Sequence, residues 1–377
     1  MSEPGACDDC LRRAWLVGSL SASIERALGA RASSRSRELL ALGDEELSAA
    51  VAIGNPELFL QRSRGRDPAR LREAVRGAHA WSCCRHDPVY PVAVGDLSDA
   101  SAVLFGRGDP ALLSRLGRRA AVTVVGARRP SGYGRELATR LGEELASAGL
   151  AVVSGMALGI DSCAHRGALD AGGFTVAVLG SGPDVPHPLR MRGLYEEIVA
   201  DGLILSELPP GATPRRWTFP ARNRIMAALG AMTIVVEARA RSGSLITSTI
   251  AQDLGREVGA VPGHVGSSPA AGTNNLLRDG AQVIRDGQDV LDSLLGPGAG
   301  GRRSGDGPRG PSLEPRLAGV LDLVEGGAVT QDAIARSSEL GAGAVAAALT
   351  RLELLGLLSC DAAGRYRRTT LAADPAP

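Results

Sequence analysis

Ten residues, Arg215-Arg216-Trp217-Thr218-Phe219-Pro220-Ala221-Arg222-Asn223-Arg224, hold four arginines and two aromatic rings in a chain that is only 3% aromatic. Planar guanidinium groups match phosphate oxygens, and exposed rings stack on bases. The run is therefore a candidate nucleic-acid contact. The alternative is a loop whose Trp217 and Phe219 plug a core and whose arginines are solvated.

Glycine-rich and small-residue loops offer a second kind of chemistry. They are residues 125–134 (around Gly126 and Arg128), 153–161 (Ser154 and Gly155), 179–182, and 241–247 (Ser242, Gly243 and Ser244). A loop of this kind between a strand and a helix exposes backbone N–H groups that favour an anion. Each is a weak signal alone, because tight turns also use glycine. Four of them on one edge would make a phosphate-lined surface.

Several chemistries are excluded. The sequence contains no lysine, so all 42 basic residues are arginine. A Walker lysine and a Schiff-base lysine are absent. Residues 126–134 do not spell Gly-x-Gly-x-x-Gly. No credible nucleophile–base pair is visible. Asp161 and His165 could form an acid–base couple, but a buried structural histidine is the preferred reading. Cys163 has no evident activator.

Cysteine spacing raises a metal question. Cys7-Asp8-Asp9-Cys10 is a Cys-x-x-Cys pair, and Cys83, Cys84 and His86 follow far along the chain. Cys7, Cys10, Cys83 and His86 have the donor types of a tetrahedral zinc site. Cys83 and Cys84 are adjacent, however, and lack paired spacing. The expectation is therefore no metal and no cofactor: buried thiols and a chance pair.

These residues must be positioned by a larger frame. At 377 residues, with 44% hydrophobic and 22% charged residues, the chain suits two or three soluble domains. A net charge of +1 gives no global basic field, so any nucleic-acid contact must be local. No secretory leader and no apolar run of the roughly 18 residues of a membrane span is read, which predicts a cytoplasmic protein with reduced thiols. Residues 1–80 read as a helical module and 81–120 as an extended lead-in.

Over 121–295 the pattern changes. Strand candidates at 121–126, 151–154, 175–179, 203–206, 233–237, 257–261 and 282–285 alternate with helical stretches. That alternation predicts an α/β fold with a mostly parallel sheet covered on both faces. Its ligands would bind at the carboxyl ends of the strands. Residues 296–311 are a Gly/Pro-rich linker by composition. Residues 312–372 read as three helices and a hairpin, a winged-helix order. The third helix of that unit carries Ala344, Ala346, Ala347 and Ala348, which is poor for base readout. A docking or structural module is expected there, with Arg365, Arg367 and Arg368 as possible phosphate contacts.

The central region resembles the DNA-processing protein DprA (Smf) family. The matching motifs are collinear: Val-Val-Gly-Ala-Arg-Arg with Tyr-Gly (124–134), Val-Val-Ser-Gly-Met-Ala-x-Gly-Ile-Asp with Ala-His (152–165), Ser-Glu-x-Pro (206–209), Phe-Pro-x-Arg-Asn-Arg-Ile (219–225), Val-Glu-Ala-Arg with Ser-Gly-Ser-Leu-Ile-Thr (236–247) and Ala-Val-Pro-Gly (260–263). The resemblance implies an extended Rossmann-like, doubly wound domain that binds single-stranded DNA. It implies a homodimer that protects incoming strands in natural transformation and loads the RecA recombinase. It makes Arg128, beside Gly126, a phosphate contact and Phe219 the stacking ring, with Arg216 and Arg222 adding charge and Asn223 and Arg224 either touching DNA or facing inward to brace the loop; Ser154, Gly155, Ser242, Gly243 and Ser244 of the small-residue loops complete the expected DNA-binding set. Two positions depart from the family pattern: Ser131 stands where Thr is usual, and His187-Pro188 replaces Tyr-Pro.

Two other functions compete. A nucleotide-cleaving enzyme of the phosphoribohydrolase type is faintly echoed by Pro262-Gly263-His264 and Gly272-Thr273, but Leu276 stands where its catalytic glutamate would be. A scaffold acting mainly through the winged helix is the third reading.

Overall fold

In the computed structural model the described residues are 4–29, 32–117, 120–297, 314–325, 327–338, 340–355, 357–361 and 364–368. The linker read over 296–311 lies outside them beyond residue 297. Residues 1–302 form one compact unit and 303–377 a second.

The first unit is built on a sheet of nine strands among the described residues: β1 (Trp81–Cys84), β2 (Val103–Gly108), β3 (Ala121–Val125), β4 (Ala151–Ser154), β5 (Thr175–Leu179), β6 (Leu203–Ser206), β7 (Met232–Val235), β8 (Glu257–Ala260) and β9 (Gln282–Val283). Their spatial order is β1-β2-β6-β5-β4-β3-β7-β8-β9. Neighbours from β6 to β9 pair in parallel, whereas β1–β2 and β2–β6 pair antiparallel. The stretch expected to be an extended lead-in thus supplies two edge strands.

Strands β3 to β7 are buried along their whole length, as Val- and Ile-rich segments under helices on both faces must be. Their residues alternate between two cores. Val122, Val124 and Val152 join Leu137, Leu141 and Ile160 on one face. Ala121, Val125, Ala151 and Val153 join Ile225, Met226 and Leu229 on the other. On the first face the helices Gly132–Ser147 and Ile160–Asp170 approach closely. A Cβ at Gly142 would lie 2.2 Å from the Ala164 carbonyl, and one at Gly167 would lie 1.9 Å from that of Thr139.

The long helix Asp8–Leu28 is amphipathic, and its buried stripe includes Leu16, Val17, Leu20 and Ile24. That stripe packs on Leu47, Val51 and Leu60 of the following helices and on Leu208, Trp217 and Ala221 of the sheet domain. The helices at 32–41 and 44–51 belong to the expected helical module and are separated at Leu42-Gly43. The helices Pro56–Arg64 and Gly287–Leu295 are additions to the sequence reading. Among the described residues no helix is long and apolar enough to cross a membrane.

The second unit has the helices Pro315–Glu325, Gln331–Ser337 and Ala342–Leu354 and an antiparallel hairpin, β10 (Leu358–Cys360) with β11 (Tyr366–Arg368). Thr330 caps the second helix by accepting from Ala333 N–H at 3.3 Å. Val320, Ile334, Val345, Leu349 and Leu352 form its core. This is a winged-helix arrangement. Arg365 is exposed; the side chains of Arg367 and Arg368 lie outside the described ones.

Candidate nucleic-acid interface

The parallel strands all end on one edge, and the chain reverses its direction of travel across the sheet between β3 and β7. Such a switch point opens a crevice at the carboxyl ends. The loop after β3 carries exposed Arg128 and Arg129, and the loop after β7 carries exposed Arg239 and Arg241. The loops after β5 and β6 bring His187 and Phe219 to the same edge.

Phe219, half-buried, is the centre of a small cluster with the exposed Arg128 and His187. The Arg128 guanidinium carbon lies over its ring, 5.8 Å from the centroid. The His187 ring lies 5.6 Å away, tilted by 41°. Gly180 lets the ring sit against the end of β5, since a Cβ there would come within 3.2 Å of Phe219 Cδ1. Burial, with Arg128 beside it, holds the His187 pKa below the usual imidazole value. His187 is therefore neutral at pH 7, a ring rather than a charge. Sequence reasoning treated His187 only as a departure from a pattern; its pairing with Phe219 is a tertiary contact that spacing does not reveal.

Arg216 is exposed beside this cluster. Its backbone N–H donates to Glu25 Oε1 at 2.9 Å, and Arg215 Nη1 bonds Glu25 Oε2 at 2.8 Å. Those bonds, the Arg216 amide first, hold the Glu25 pKa below the usual carboxylate range. Trp217 is fully buried and donates from Nε1 to Ser21 O at 3.0 Å. The segment carrying Phe219 is thus pinned on the N-terminal helix.

Four of the predicted contacts face inward. Arg224 is 1% exposed. Its guanidinium makes a bidentate pair with Glu207, at 2.8 and 2.7 Å, and an ion pair with Asp99 at 3.0 Å. Arg222 is buried against Gly155, where a Cβ would meet its Nη1 at 2.0 Å, and it donates to Val178 O. Desolvation lowers its pKa to about 10, opposed by Asp161, so it stays charged at pH 7. Asn223 is buried on the same helix, and Ser154 Oγ donates to Val124 O at 2.6 Å inside the sheet. All four side chains are buried and brace the site from beneath, which for Asn223 and Arg224 is the inward-facing alternative and for Arg222 and Ser154 differs from an exposed contact. His165 also belongs to this layer. Its Nδ1 lies 2.7 Å from Thr175 Oγ1, which donates to Val152 O, so Nδ1 carries the proton. Burial, with Arg222 nearby, lowers its pKa to about 3.

The glycine loops also differ from expectation. The helix N-terminus after β3 is already bound by the protein's own carboxylate. Glu237 accepts from Ser131 N–H at 3.1 and 3.2 Å and from Ser131 Oγ at 2.6 Å. Gly126 is glycine because a Cβ would lie 2.6 Å from Ile160 Cγ1. In the loop after β4, Asp161 Oδ2 accepts from Ala157 N–H at 3.2 Å, and the Gly155 amide also bonds Asp161. Burial raises the Asp161 pKa, opposed chiefly by Arg222. The start of the helix Ser244–Asp253 is different: it is bonded by hydroxyls, with Ser242 Oγ 2.8 Å from Ser244 Oγ. Gly243 there is exposed, with open space around it.

The family pattern described as DNA recombination-mediator protein A matches residues 81–295, more than half of the chain. The chain belongs to this family. A second pattern, the DprA winged helix domain, matches residues 306–364. Protein Smf of Synechocystis is 34% identical over 344 residues, 83% of each chain. The crystal structure of DprA from Streptococcus pneumoniae superposes with a TM-score of 0.60 at 34% identity, covering 76% of this chain and 96% of that one. A structure of DprA from Helicobacter pylori, determined for its single-stranded DNA binding mode, gives a TM-score of 0.50 at 34% identity, covering 55% of this chain and 93% of that one. As a DprA-family chain, this is a DNA-processing protein.

The family match does not extend to the cysteines at 7 and 10. The structure nevertheless gathers Cys7, Cys10, Cys84 and His86 into one group. Cys83, the expected third sulfur, is not in it. It points to the opposite face of β1 and packs with Tyr90, Val94 and Leu104. Adjacent strand residues face opposite ways, so the spacing that argued against a cluster reflects only strand alternation.

Proposed function

We propose that the chain binds single-stranded DNA along the carboxyl edge of its sheet and acts as a non-enzymatic recombination mediator. The observation that carries this is the half-buried Phe219 ring framed by the exposed Arg128 and His187. Phe219 stacks a base, and Arg128, Arg216, Arg239 and Arg241 neutralise the flanking phosphates. The named binding mode of the Helicobacter relative supports the choice of ligand. The family description as a recombination mediator supports a further step, in which a homodimer of this chain protects incoming DNA and loads RecA on it during natural transformation.

The test is fluorescence anisotropy with a labelled single-stranded oligonucleotide and its duplex. Loss of one base stack costs about 1–3 kcal/mol. Phe219→Ala is therefore expected to weaken single-strand binding by roughly 5- to 150-fold. Arg128→Ala should weaken it and make the log-affinity against log-salt slope shallower by about 0.7. Unchanged affinity in both variants overturns the reading. The phosphoribohydrolase alternative predicts base release from nucleoside monophosphates; no carboxylate stands at Leu276 to support it.

A further inference from the structure

We propose that Cys7, Cys10, Cys84 and His86 bind a structural zinc(II) ion that joins the N-terminal helix to the edge of the sheet. One ligand atom from each of the four residues lies within 4.8 Å of all the others. His86 Nδ1 is 3.5 Å from Cys7 Sγ, 3.5 Å from Cys10 Sγ and 3.9 Å from Cys84 Sγ. A tetrahedral ion with the bond lengths of zinc to sulfur and nitrogen sets S···N edges of about 3.6 Å. The three sulfur-to-nitrogen distances therefore already lie close to those edges, and the sulfurs lie within 4.8 Å of one another. Three sulfurs and one imidazole are a closed structural donor set, and soft thiolates in tetrahedral array select zinc over magnesium or calcium.

Two further features suit a metal rather than chance proximity. The Cys7 backbone N–H points at Cys84 Sγ, 3.4 Å away. An amide donated to a ligand sulfur is the kind of outer contact that orients a thiolate and offsets its charge. In addition, Cys7 is the N-cap of the helix Asp8–Leu28 and Cys10 lies in its first turn, so one rigid element places both sulfurs. Cys10 and Cys84 are buried, whereas His86 is exposed, which leaves an entry path for the ion. The donors come from two places: the start of the first helix, and the end of β1 with the turn after it. The cross-link spans 76 residues between Cys10 and His86.

The test uses the full chain, freed of any affinity tag and incubated with zinc, then desalted and assayed for bound metal and protein. About one tightly held zinc per chain is expected, and cobalt(II) in its place should show tetrahedral, thiolate-rich absorption. The wild-type chain alone decides these two readouts, whatever the variants do. Cys84→Ser should lower metal affinity at least roughly tenfold, while Cys83→Ser should leave it unchanged. A chain that holds no zinc, an octahedral cobalt spectrum, or equal loss of metal in Cys83→Ser and Cys84→Ser overturns the proposal. So does a Cys7–Cys10 disulfide found in freshly purified, unreduced protein.

Discussion

Arg222 and Arg224, two positions apart on one buried helix, do different work from the exposed Arg216. Arg224 is enclosed, with both ion-pair partners buried. Removing one side of such a group leaves uncompensated charge and costs about 3–5 kcal/mol. Arg224→Ala should therefore lower the denaturation midpoint sharply, without a specific loss in any residual folded fraction's DNA affinity. The sequence displays four arginines in the run but not which of them are enclosed, because the carboxylates that decide it lie elsewhere: Glu207 is 17 residues away and the Asp99 segment 125. Phe219 and Arg128 were legible from their motifs; their contact with His187 was not. His165 gives a pH signature. Its folded pKa of about 3 lies below the 6.5 of the unfolded chain, so the unfolded state takes up the proton first as pH falls. The associated stability is complete above pH 6.5 and declines below it, by about 1.4 kcal/mol per pH unit. Urea denaturation at pH 7 and pH 5 should show this decline in the wild type and a smaller one in His165→Gln.

At the scale of elements, the helix Gly132–Ser147 is held at its start by Ser131, which accepts from Gly134 N–H at 3.0 Å and donates to Glu237. Ser131→Ala removes the cap and is expected to cost about 0.5–2 kcal/mol in chemical denaturation. The crossing of that helix with Ile160–Asp170 depends on Gly142 and Gly167. Gly142→Ala should cost more than the cap does, because the added carbon meets the Ala164 backbone rather than a movable side chain. The parallel strands could be read from sequence because their Val- and Ile-rich runs are buried throughout. Strand β1 could not: four residues with two cysteines and a tryptophan carry neither a clean alternation nor a long apolar run. The helices near residue 60 and residue 290 were hidden by their short length, where periodicity has few turns to show itself.

At the scale of the whole molecule, every residue of the proposed DNA contact lies within residues 1–302. A chain ending at residue 302 keeps every one of those residues and is expected to bind single-stranded DNA within about threefold of the full chain, under about 1 kcal/mol. Any larger loss assigns the winged helix a direct share in binding. The plugged helix starts have a wider consequence. Glu237 and Asp161 already bond backbone amides in two of the strand-to-helix loops, so on the proposed reading those amides are not open to the phosphate of a lone nucleotide. On the same reading, Phe219 and the exposed arginines are separate weak anchors, which suit a ligand that presents many phosphates and bases at once. Affinity then grows by effective concentration along the strand. On the proposed reading, the free nucleotides of a cell should compete poorly even at millimolar levels, and the protein measures polymer length before it measures anything else.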